Sequence, residues 1–230
     1  MNYQLQPAKL IATTEQLSLR VSERLPDSGL SRVVADLVPV ARQAVQVADS
    51  LVPANIPVRI FVGLLAMGLA GLAMVASASL RMPAGEASAI DVAQGIEATI
   101  NILVFGGAAI YFVWSIETRL KRRRVLSLVA QLRSLAHVID MHQISKTPDR
   151  IETTLRPTEH SPPRLQLTPD LLVRYLDYCS EALSLLSKLA ALQVEEFDDP
   201  VTLEAVNDLE TLTTGFSRKI WQKIMIIRRA

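Results

Sequence analysis

The densest set of chemically capable side chains lies in one stretch, LRSLAHVIDMHQ, which holds Arg133, His137, Asp140 and His142. On a helix, Arg133, His137 and Asp140 are spaced i, i+4 and i+7 and share a face, while His142 falls on the apolar side. Three chemistries compete for them. In a structural reading, Asp140 accepts a hydrogen bond from His137 or Arg133, and His142 is a hydrogen-bonded core imidazole. In a second, Arg133 and His137 form an anion or ligand site with Lys219 or Arg218 of the last helix. In a third, His137 and Asp140 hold a metal, with His142 as a further donor. Helical metal pairs use i and i+4 ligands. The two histidines are five residues apart and point about 140° away from each other. The structural reading is therefore the default, and no cofactor is expected.

Other catalytic patterns are missing from the sequence. It has no Gly-rich phosphate loop, no G-x-S-x-G elbow and no cysteine-pair zinc set. Its one cysteine, Cys179, lies on an apolar stripe and reads as an inert core thiol that forms no internal disulfide. The expectation is a protein that is not an enzyme.

The elements that must position these residues are helices. Half of the 230 residues are hydrophobic, only 5% are aromatic, and the net charge is +1. Such a balance argues against a nucleic-acid-binding surface, which needs clustered excess cations with stacking aromatics. Two stretches, Ile60 to Leu80 and about Ala98 to Ile116, carry no charge. About 20 helical residues cross a hydrocarbon core of about 30 Å, so both read as membrane spans. The N-terminus has no apolar core of the kind a signal peptide needs.

Cation placement then orients the spans. Arg59 precedes the first, and Arg119, Lys121, Arg122, Arg123 and Arg124 follow the second. The connecting segment 81–97 has one cation, Arg81, against Glu86, Asp91 and Glu97. The positive-inside rule places that loop outside and both termini in the cytoplasm, as in a bacterial inner membrane. Trp114 stands where an interfacial aromatic belt is expected. Small residues, among them Gly68 and Gly71 in the first span and Gly106 and Gly107 in the second, mark close helix approach. Asn101 requires an interhelical partner or water.

Outside the spans, Pro7 to Arg24 and Leu30 to Leu51 read as amphipathic helices, the second packing its apolar face on the C-terminal helices. After the second span, Val125, Leu128, Leu132, Leu135, Ile139 and His142 continue an alternating three-and-four spacing, a seam for another helix. Leu132 and Leu135 are thus candidate subunit contacts. Prolines make 146–167 a linker. Thr168-Pro169 and Asp199-Pro200 each read as an N-cap followed by a first-turn proline. They open the two helices of a C-terminal hairpin, where Trp221 is a candidate interface anchor.

The expected fold is an all-α membrane protein: two transmembrane helices as a helical hairpin, with a cytoplasmic helical bundle and the second span continuing as a long cytoplasmic helix. Its segments are 1–55 (N-terminal helices), 56–118 (spans, with external loop 81–97), 119–145 (extension), 146–167 (linker) and 168–230 (hairpin). The function read from this is a non-enzymatic, self-assembling scaffold or sensor that couples the lipid bilayer to the bundle and a cytoplasmic protein partner. One alternative is a small oligomeric ion channel with Asn101 or Glu97 at its mouth. Another is a metal- or anion-binding regulator centred on His137 and Asp140.

Overall fold

Local sequence sets where most helices begin. Pro7 opens α1 (Pro7–Arg24) at a first-turn position that has no need of an N–H. Pro26 prevents its continuation, and Asp27 takes a left-handed φ of 57°, which a short polar side chain tolerates. Ser28 then caps α2 (Gly29–Leu51), its hydroxyl accepting from Ser31 N at 3.0 Å. Thr168 and Asp199 cap α5 (Pro169–Ala191) and α6 (Pro200–Ile227) in the same way, as their sequences predict. Between the latter two, a 3₁₀ turn spans Leu192–Val194. Two further helices are α3 (Ile56–Ser79) and α4 (Ala89–Ile144), the latter 56 residues long.

The computed structural model describes residues 4–52, 56–79, 89–147, 159–160, 167–195 and 197–229. For residues 57–59, 73, 76–79, 89–92 and 114 it describes the backbone alone. Among the described residues all regular structure is helical. Most of the expected linker 146–167 lies outside them, as do residues 81–88 of the expected loop. The remainder of that loop, Ala89 to Glu97, is helical and forms the start of α4, since it contains no proline and several good helix formers.

The chain divides into two compact units, Met1–Val52 with Arg124–Ala230, and Pro53–Arg123. In the first, α1, α2, the later part of α4, α5 and α6 share one core. On α5, Leu172, Leu176, Leu183, Leu186 and Ala190 are wholly buried with Cys179, on whose apolar stripe they fall. The apolar face of α2 is also inside, with Leu30, Val34, Ala41 and Ala44 fully covered. In the first turn of α6 the cap decides which side chain faces inward. Leu203 is exposed and Thr202 is buried instead, because the hydroxyl of Thr202 donates to Asp199 O at 2.9 Å within the cap. Ion pairs on the rim, Arg20–Glu181 and Arg42–Glu15, both at 2.6 Å, link α1 to α5 and α2. Being half exposed, each contributes little.

The seam of α4 is the main correction. Val125, Leu128, Leu132 and Ile139 are at most 1% exposed. Helices of the same chain therefore cover the stripe that reads as a subunit interface, and Leu132 is not available to a second copy. Leu135 is partly buried beside Pro39, Val40 and Val138, where α2 and α4 meet.

In the second unit, α4 is long and apolar enough to cross a membrane. The apolar run described in α3, Ile60–Leu72, is shorter. A helix of that length rises roughly 20 Å, less than a hydrocarbon core of about 30 Å. Among the described residues, α4 alone has an apolar stretch of spanning length.

Candidate functional site

The last four carbonyls of a helix have no partner within it. At the end of α4 they are met from two neighbouring helices. Lys223 of α6 donates from Nζ to Gln143 O and to Gln143 Oε1, both at 2.7 Å. Gln143 in turn donates from Nε2 to Asp140 Oδ1 at 2.6 Å, so Asp140, Gln143 and Lys223 form one polar chain. From α5, the Tyr175 hydroxyl donates to His142 O at 3.4 Å. Lys146 Nζ lies 5.5 Å from the centre of the Tyr175 ring. Two ammonium groups thus stand at the negative end of a long helix, where its dipole favours cations.

Electrostatics follow burial. Removal from water lowers the Lys223 pKa below its ordinary value, with Asp140 pulling the other way. Burial pushes the Cys179 thiol from 9.0 up to about 12, Lys223 and Lys146 opposing only in part. Tyr175 is likewise pushed above its ordinary value by burial, and then by Cys179. A thiol held protonated is a poor nucleophile. The cluster closes the end of α4 and joins it to α5 and α6.

Gly29, at the start of α2, completes the junction. A Cβ there would lie 2.6 Å from His142 Nδ1, so the imidazole occupies space that only glycine leaves. This explains His142 better than the hydrogen-bonded core position expected of it. Asp140 accepts from Gln143 and not from His137 or Arg133. Arg133 instead pairs with Asp208 of α6 at 3.4 Å, in an exposed contact. His137 packs edge-on against Phe216, with ring centres 5.5 Å apart, and Lys219 Nζ lies 5.4 Å from the same ring. Phe216 thus lies between His137 and Lys219. Among the described residues no three His, Cys, Asp or Glu side chains converge as metal ligands. The proposed set of His137, Asp140 and His142 is not brought together.

The cationic run after the second expected span separates into distinct environments. Lys121 pairs with Glu117 at 3.1 Å. The Arg119 guanidinium lies 5.7 Å from the Phe112 ring centre, Arg122 is partly buried, and Arg123 and Arg124 are exposed. The side chains of Arg59 and Trp114 lie outside the described residues. A Cβ on Gly106 would come within 2.8 Å of Leu69 Cδ1, so α3 and α4 approach closely there. Gly68, Gly71 and Gly107 face open space. Glu97 and Asn101 are exposed. Trp221, in the first unit, is 56% exposed.

Lys223, Gln143 and Tyr175 are the site residues that sequence reasoning missed. Lys223 reads as a solvated lysine beside the α6 stripe, and its only local signal is its position three residues after the buried Ile220. Compared with protein-family models, curated proteins and solved structures, the chain matches none.

Proposed function

We propose that this is an integral membrane protein without catalytic activity, a scaffold or sensor whose α3 and α4 cross a bilayer. In this reading the bundle of α1, α2, α5, α6 and the later part of α4 lies in the cytoplasm and engages a protein partner. The contrast along α4 carries it. Leu103, Val104 and Phe105 are 63%, 60% and 72% exposed, whereas Val125, Leu128 and Leu132 are 0%, 1% and 0%. An exposed apolar surface of that density needs a lipid or protein cover. The cation run begins where the exposure ends, as the positive-inside rule requires of a cytoplasmic boundary. In α3, 24 helical residues give enough rise for a second crossing. The bundle locks the far end of α4 through Lys223, Tyr175 and Gly29, so displacement of the membrane helix is felt there.

Extraction and topology test the proposal together. In a Cys179→Ala background, Ala84→Cys should label from outside with an impermeant maleimide. Ser127→Cys should label only after the membrane is opened. Release of the protein by alkaline carbonate, or equal labelling of both cysteines from outside, would sink the reading.

A further inference from the structure

We propose that one face of α4 binds the phosphate headgroup of an anionic phospholipid, a site that rests on the bilayer-spanning reading of that helix. Tyr111, Ser115, Thr118, Arg119 and Arg122 line a single cleft of about 560 Å³. On an ideal helix these five fall within about 100° of arc. Arg119 is held at the edge of the cleft, its guanidinium over the Phe112 ring at 5.7 Å. Ser115 Oγ donates to Phe112 O at 2.8 Å, leaving its oxygen to line the wall. The two guanidinium groups, with the hydroxyls of Thr118 and Tyr111, supply N–H and O–H donors suited to phosphate oxygens.

Two features favour a lipid over a soluble anion. The cleft lies at the end of an exposed apolar stretch, where Phe105 and Phe112 are 72% and 57% exposed. Acyl chains attached to a bound phosphate would lie along that surface. The remaining cations are also segregated from the cleft. Lys121 is on another face, paired with Glu117 at 3.1 Å, and Arg123 and Arg124 do not line the cavity. Charge is thus concentrated in a built site as well as spread along the boundary.

That segregation gives the test. Full-length protein is placed in nanodiscs of phosphatidylcholine with a minor fraction of phosphatidylglycerol, and native mass spectrometry counts the phosphatidylglycerol retained. R119Q/R122Q and R123Q/R124Q remove the same charge. The first should weaken retention roughly fivefold per guanidinium lost, and the second should leave it unchanged. Equal losses would mean diffuse attraction and overturn the site. Displacement of the lipid by millimolar inorganic phosphate would assign the cleft to a soluble anion and overturn it too. Protein that resists carbonate extraction but retains no phosphatidylglycerol overturns the site alone. Protein that washes out of the bilayer overturns the membrane reading and the site with it.

Discussion

Lys223 brings its ammonium to the carbonyl end of α4, beside a buried phenol and a buried thiol, and the three titrate in opposing senses. Lys223 has a folded value below its ordinary 10.5. Over that interval the unfolded chain holds a proton that the folded chain has released, so this group favours folding more as pH rises. Cys179 is the reverse, at about 12 folded against 9.0. Its contribution is complete below pH 9 and is lost as pH climbs toward 12, and Tyr175, also raised, acts in the same direction. Each group can change stability by at most about 1.4 kcal/mol per pH unit. With two groups against one, thermal unfolding of the solubilised protein, followed by circular dichroism, should move to lower temperature from pH 9 to 11. Cys179→Ala should flatten that decline even though it lowers the starting stability. Lys223→Met should steepen it. A profile that is level, or identical in all three proteins, would show that the junction does not stay buried in solution.

At the scale of the helix, α4 holds both the clearest prediction of the sequence and its clearest error. A three-and-four apolar spacing reports that a face is buried but not which helix covers it. The seam of Val125, Leu128, Leu132 and Ile139 was therefore legible, while its partners were not. They come from segments far away in the chain, as where Leu135 of α4 lies beside Pro39 and Val40 of α2. Caps at Ser28, Thr168 and Asp199 involve only neighbours three residues on, and the last two were read in full. The pairing of Arg133, His137 and Asp140 looked local for the same reason, yet α6 supplies Asp208 and Phe216 as better partners. With its seam filled internally, Leu132→Ala should cost about 2–5 kcal/mol as a core cavity. Leu132→Cys, in a chain lacking Cys179, should give no intersubunit disulfide in membranes. A strong crosslinked dimer at that position would mean the bundle exchanges helices between copies.

For the whole molecule, the self-assembly proposed for it would fall to the apolar unit, Pro53–Arg123. Asn101 is exposed there amid exposed Ile100, Leu103 and Val104, 54%, 63% and 60% accessible. In the proposed bilayer that amide would lack the partners water gives it, and a second copy presenting the same face would supply them. Interhelical polar contacts in membranes contribute about 0.6–1.7 kcal/mol, so Asn101→Leu should weaken association about three- to eighteenfold. The bundle, which has its own core, should melt unchanged. Native masses in nanodiscs would distinguish the possible assemblies. A dimer that dissociates in Asn101→Leu buries the face between two copies and leaves no lumen. A ring of four or more that survives the substitution would place Glu97 and Asn101, one helical turn apart, along a shared axis, and ion flux through proteoliposomes would then decide for a channel. A monomer in both proteins would remove the second copy altogether and leave α3 and α4 as an anchor, with the lipid covering the amide by local hydration.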